Sequence, residues 1–125
     1  MKKFYICEHC GNIIEKHNDS KVPVVCCGTK MQELVANTVE ASVEKHIPVA
    51  TVNGNSVSVA VGSVAHPMTA EHLIQWVYLE TDLGGAVKYL SASSAPAVEF
   101  ALADGEKAVA VYAYCNLHGL WKADL

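Results

Sequence analysis

The sequence predicts an all-β protein in two parts, a small cysteine-rich metal module followed by a β-sandwich. Four of the five cysteines fall within the first 27 of 125 residues. From about residue 38 onward, apolar residues recur with period two, the repeat of a strand. No segment carries a helical stripe. The boundary is placed after residue 37, giving a module over 1–37 and a sandwich over 38–125.

Residues 1–37 hold short apolar pieces, "FYI", "NII", "VPVV" and "MQELV", separated by Gly, Asn and Asp. A segment this short seldom folds on its own hydrophobic core, and a bound metal is a common substitute. In the second part, "PVATVNGNSVSVAVGS" places Val-rich arms on either side of Asn53-Gly54, a hairpin signal because both positions tolerate positive φ. "HLIQWVYLE" alternates with His72, Ile74, Trp76 and Tyr78 on one face. "AVEFALA" alternates as Val98, Phe100 and Leu102. "KAVAVYAYC" sets Val109, Val111, Ala113 and Cys115 in one phase and Ala110, Tyr112 and Tyr114 in the other. Short strands with turn signals about every ten residues point to an immunoglobulin-like β-sandwich. "SASSAPA" reads as a surface loop.

Composition narrows the function. Half the chain is apolar (51%), so a core can be buried, and the formal net charge is −4. With no basic run or stripe, neither nucleic acid nor an anionic membrane is expected as partner. No apolar run approaches the roughly 20 residues of a membrane span. "MKKFYICEHC" has no apolar stretch after its lysines and does not read as a signal peptide. A cytoplasmic location is expected, where clustered cysteines bind metal more often than they form disulfides.

Two constellations carry chemistry. Cys7 and Cys10 form a C-x-x-C loop, and Cys26 and Cys27 are adjacent. Four soft, anionic sulfurs suit tetrahedral zinc or iron. The adjacent pair is unusual, since a zinc ribbon uses a second C-x-x-C. A structural zinc and a single redox iron both fit. His9 and His17 are expected at the surface. The second set is His46, His66, His72 and His118 with the fifth cysteine, Cys115. Any one of these has a dull explanation, as a surface imidazole or a small buried thiol. Together, four nitrogens and one sulfur exceed what a structural tetrahedral zinc needs, and suit iron with one position open. His46 and His66 lie near Pro48 and Pro67, which stiffen the chain beside them.

The residues "YICEHCGNI" and "VVCCGTKM" resemble the desulforedoxin-type (rubredoxin-like) iron module. "EKHIPV", "GSVAHPM", "EHLIQWVYL" and "YCNLHGLWKA" resemble the catalytic domain of superoxide reductases. In this order, over nearly the whole chain, they resemble the desulfoferrodoxin family of two-iron superoxide reductases. Residues 79–100, "LETDLGGAVKYLSASSAPAVEF", carry no family signature.

The resemblance implies two irons per chain. One would be held by Cys7, Cys10, Cys26 and Cys27 as an electron relay or reserve. The other would be held by equatorial His46, His66, His72 and His118 and axial Cys115, with Glu44 and Lys45 flanking the open position. It implies one-electron reduction of superoxide to hydrogen peroxide, a rubredoxin-like electron donor and a homodimer. The charges suit this reaction: ferrous iron, one thiolate and neutral imidazoles leave a single positive charge, and Lys45 adds another, so a local field can attract an anion. A thiolate opposite the substrate donates electron density to iron; the expected benefit is easier release of peroxide. Two rivals have other consequences. A non-enzymatic iron electron carrier of rubredoxin type leaves the histidine set idle, and a zinc-stabilised binding module makes Cys115 accidental.

Overall fold

The structure, a computed structural model, describes residues 2–125. The chain divides into a first unit ending at Val35 and a second beginning at Ala36.

In the first unit the short apolar pieces become short strands. β1 (Phe4–Ile6), β2 (Ile13–Glu15) and β5 (Gln32–Leu34) form an antiparallel sheet in the order β2-β1-β5, and β3 (Val25–Cys26) pairs with β4 (Thr29–Lys30). Among the described residues of this unit, only Phe4, Cys7 and Met31 are buried. That is too little apolar area to offset the entropy of ordering over thirty residues. The unit's cohesion has to come from elsewhere, and a metal is the natural source.

The second unit opens with a single helical turn, α1 (Val43–His46). Seven strands follow: β6 (Pro48–Asn53), β7 (Ser56–Val61), β8 (Ile74–Thr81), β9 (Gly84–Tyr89), β10 (Ala97–Ala101), β11 (Ala108–Cys115) and β12 (Gly119–Asp124). They make two antiparallel sheets, β10-β7-β6 and β12-β11-β8-β9. The chain changes sheet after β7, after β9 and again after β10, the connectivity of an immunoglobulin-like sandwich. One core joins the sheets: Val57, Val59, Val61 and Phe100 from the first meet Val77, Leu79, Val111, Ala113 and Cys115 from the second.

Three local readings shift. The β6–β7 hairpin forms, but Asn53 pairs with Ser56, so the turn is Gly54-Asn55 rather than Asn53-Gly54. Only Gly54 takes positive φ (60°), the pattern of a II′ turn with glycine first. In β8, Ile74 faces the core together with Val77 and Leu79, while Trp76 and Tyr78 lie on the opposite face. The cause is a bulge: Tyr114 pairs with Trp76 and Cys115 with Ile74, leaving Gln75 as the extra residue that reverses the phase. A second irregularity, between Ala108 and Ala110, turns Val109 outward (41% exposed) and sends Ala108 against the core. Strand β9 lies within the stretch lacking a signature, and the two glycines that open it weaken its alternation. Gly85 is required there, since a Cβ would collide with the Tyr78 phenol.

Candidate metal centres

The first centre is assembled by two tight turns. Cys7 directly follows β1, and the loop after it closes through Gly11 N–H to the Cys7 carbonyl (2.8 Å) and Cys7 N–H to the Asn12 carbonyl (2.8 Å). This folds Cys10 back toward Cys7. The adjacent pair has a simple geometric explanation. Cys26 pairs with Thr29, and the two-residue turn between them, Cys27-Gly28, has φ of 52° and 77°, the I′ pattern. A cysteine in the last strand position and one in the first turn position can then reach the same point. All four sulfurs lie within 4.8 Å of one another.

These thiols are free, not bonded. Cys10 Sγ is 3.7 Å from Cys26 Sγ, far beyond a disulfide bond. It equals the edge of a tetrahedron with metal–sulfur bonds of about 2.3 Å. Asn12 Nδ2 points at Cys26 Sγ from 3.7 Å. The backbone N–H of Cys10 favours the Cys7 thiolate and lowers its pKa to about 6, whereas Cys27, sharing hydrogen bonds with Cys10 and Cys7, is pushed up to about 12. Four thiols so crowded cannot all ionise without a cation among them, and the donor set fits iron or zinc.

The second centre gathers side chains from four places. α1 carries His46. The turn after β7 carries His66 and is pinned to α1 by Val64 N–H to the Glu44 carbonyl (2.8 Å) and by the Ser63 hydroxyl to the same oxygen (3.2 Å). Gly62 permits this approach: a Cβ there would stand 2.6 Å from the Glu44 carbonyl oxygen. His72 lies just before β8, outside the strand. Cys115 ends β11 on the core face, fully buried, and His118 sits in the turn to β12. The ligand atoms of His46, His66, His72 and Cys115 lie within 4.8 Å of one another. His118 Nδ1 joins them at 3.1 Å from His46 Nε2 and 3.8 Å from Cys115 Sγ. All five residues expected at this centre therefore converge.

The hydrogen bonds show what the centre wants. His46 Nδ1 donates to the Ser42 carbonyl and His66 Nδ1 to the Pro67 carbonyl, both at 2.6 Å. A neutral ring that donates through Nδ1 has a bare lone pair at Nε2. Yet His46 Nε2 and His66 Nε2 face each other at 3.1 Å. Two lone pairs repel at that distance unless something positive lies between them. Protonation is not the remedy, because burial pushes the His66 pKa down to about 4 and also lowers those of His46 and His72. His72 Nε2 is buried with no hydrogen-bond partner at all. A metal cation answers each of these features. Two metal–nitrogen bonds of about 2.1 Å at a right angle put their nitrogens about 3.0 Å apart, matching both 3.1 Å separations. Burial raises the Cys115 pKa, and such a thiol is deprotonated when it meets a metal.

The surroundings hold the donors still. Trp121 stacks on His46 (centroids 4.9 Å apart) and donates its indole N–H to the His118 carbonyl (3.0 Å). Glu44 and Lys45 are both exposed on α1. The Ser42 hydroxyl keeps the Glu44 carboxyl below the usual carboxylate range, and the Lys45 charge reaches the His72 ring, helping to lower its pKa after burial. His9 and His17 are exposed. The sequence reading overlooked Trp121, Thr69 and Asn116. Asn116 could have been noticed by its place between Cys115 and His118.

The Desulfoferrodoxin family model matches residues 38–124. The desulfoferrodoxin of Nitratidesulfovibrio vulgaris is 43% identical over 122 residues, covering 98% of this chain and 95% of that one. Among solved structures, the superoxide reductase of Treponema pallidum superposes with a TM-score of 0.84 at 39% identity, covering 99% of both chains. The superoxide reductase (1Fe-SOR) of Giardia intestinalis reaches a TM-score of 0.56 at 31% identity, covering 66% of this chain and 97% of that one. With relatives that match nearly end to end and a family model spanning the sandwich, the chain belongs to the desulfoferrodoxin family.

Proposed function

We propose that this chain is a superoxide reductase, converting superoxide, one electron and two protons into hydrogen peroxide. Residues 1–37 serve as the desulforedoxin-like module and 38–125 as the catalytic sandwich. Cys7, Cys10, Cys26 and Cys27 hold one iron, and His46, His66, His72, His118 and Cys115 hold the other. Iron held by these residues would supply the one-electron chemistry of the reaction. The observation that carries this reading is the convergence of one sulfur and four imidazole nitrogens, with the Nε2 atoms of His46 and His66 facing each other at 3.1 Å.

The chain's own groups do the rest. Lys45 supplies the positive charge that draws the anion toward the site against the negative charge of the chain as a whole. Its ammonium would also order a water that passes a proton to the reduced substrate. Glu44, whose carboxyl the Ser42 hydroxyl favours in its ionised form, would place a negative charge beside Lys45 at the mouth of the site. Trp121 and the sandwich core exclude water from behind the ligands. The electron comes from a small rubredoxin-like protein, with the cysteine iron as relay or reserve, and the chain acts as a homodimer in the cytoplasm.

Metal analysis combined with a superoxide assay tests the proposal. Two irons per chain and one peroxide per superoxide consumed, with no dioxygen released, are expected. A single iron retained in full by Cys115→Ser would instead indicate an electron carrier, and zinc alone in protein made with iron available would indicate a binding module.

A further inference from the structure

The ligands of the second centre are not all held in the same way. His46 and His66 are oriented through their rings, each by a backbone carbonyl. Among the described residues, no carbonyl is hydrogen-bonded to the His72 ring, and its Nε2 has no partner. His72 also sits outside regular structure, two residues before β8. Where its nitrogen points depends on where its backbone is.

That backbone is gripped from both sides. On one side, Thr69 Oγ1 accepts the His72 N–H (3.0 Å), while the Thr69 N–H and hydroxyl both donate to the His72 carbonyl (2.9 and 3.2 Å). On the other side stands Asn116. Its Oδ1 accepts the Leu73 N–H (3.0 Å), its Nδ2 donates to the Glu71 carbonyl (2.9 Å), and its own N–H donates to the Leu73 carbonyl (3.3 Å). Glu71 and Leu73 are the residues flanking His72. The Asn116 amide extends the pairing of β11 with β8 past its last rung, Cys115 with Ile74. It does so from inside the Cys115–His118 turn.

We infer that Asn116 and Thr69 are positioning residues that set the place of His72, Asn116 by tying the His72 loop to the turn bearing Cys115 and His118. Three of the five ligands then move as one body. Partners that orient a metal ligand are commonly worth 10- to 100-fold in metal affinity, and for His72 these backbone clamps take the place of a ring partner. The inference rests on the reading of the second centre as an iron site.

The test is a double-mutant cycle read by iron affinity, with a competing chelator, and by the ferric absorption spectrum of the full-length protein. Asn116→Ala should weaken iron binding at the histidine site by about 10- to 100-fold and shift its thiolate-to-ferric band, leaving the cysteine-site iron in place. Thr69→Ala should do the same more mildly, and Thr69→Ser, which keeps the hydroxyl, should restore affinity and band. In a His72→Ala background, Asn116→Ala should add almost nothing, because the group it positions is gone. Thermal melting of the metal-free variants separates this from a general loss of stability. Should Asn116→Ala not fold, Asn116→Asp, which keeps the acceptor for Leu73 but loses the donor to Glu71, takes its place in the cycle. Equal losses with and without His72, or an unchanged affinity and spectrum in Asn116→Ala, would overturn the inference while leaving the iron site intact. Wild-type protein that binds no iron beyond the cysteine site would overturn both.

Discussion

The two metal centres are built on opposite principles. In the first unit each pair of sulfurs is placed by a turn of a few residues, and only three described side chains there are buried. In the second, the donors come from four segments spread between residues 46 and 118, and a sandwich core with Val57, Val61, Val77 and Val111 fully buried stands behind them. The comparison teaches that the metal makes the fold in the first case and the fold makes the metal site in the second. The electrostatics agree. The cysteine cluster is a set of thiols that cannot all ionise without a cation, whereas two rings of the histidine cluster, His46 and His66, are oriented in advance by backbone carbonyls.

Metal removal is the harshest way to break that contrast. Chelation of both metals should abolish amide protection over residues 4–34, since structural metals in small domains contribute on the order of 10 kcal/mol. Strands β7, β8 and β11 should keep theirs. Hydrogen exchange measured on the intact chain decides the matter, and equal loss in both units would erase the distinction. Next in size is Cys115→Ser, which should lower iron affinity at the histidine centre more than about 100-fold, beyond what an outer partner costs. The cysteine centre should keep its metal and the sandwich should stay folded, as circular dichroism and metal counting would show.

Smaller effects sharpen the picture at the mouth of the second site. Lys45→Ala should slow superoxide capture about tenfold and flatten its dependence on ionic strength, while Glu44→Ala stays within about twofold. Pulse-generated superoxide followed optically measures both, and an unaltered Lys45→Ala rate removes the steering role. The smallest expected effect is an acid limit of the sandwich itself. The Thr81 hydroxyl (2.6 Å) and the Ala103 N–H (3.0 Å) bind the Glu106 carboxylate and lower its pKa. Because the folded value lies below the unfolded one, near 4.3, the stabilisation is complete above that pH. It is lost as pH falls through the folded value. Denaturant titration should therefore find Glu106→Gln destabilising at pH 7 and nearly neutral in strong acid.

Much of the site was legible in residue types and spacing. Cysteines three apart or adjacent are already close along the chain, so each half of the first centre was visible in local sequence. The histidines and Cys115 were identified by their number and by resemblance, and the structure brings every one of them to one place. The facing of β8 was not legible. Read alone, "HLIQWVYLE" alternates without a break, and only the pairing of Tyr114 with Trp76 beside Cys115 with Ile74 reveals the bulge at Gln75. The hairpin turn moved by one residue for a related reason, since the register of the two arms, not the most permissive dipeptide, selects the turn positions.

By itself the sequence determined which donors exist, that they form one sulfur set and one mixed set, and that strands would carry the second. Those are properties of side chains and of short-range periodicity. Only the tertiary structure decided that the Nε2 atoms of His46 and His66 face each other, which loop Asn116 ties to which, and which face of β8 meets the core. Each of these depends on hydrogen bonds between segments distant along the chain, and no local pattern specifies the partner on the far side.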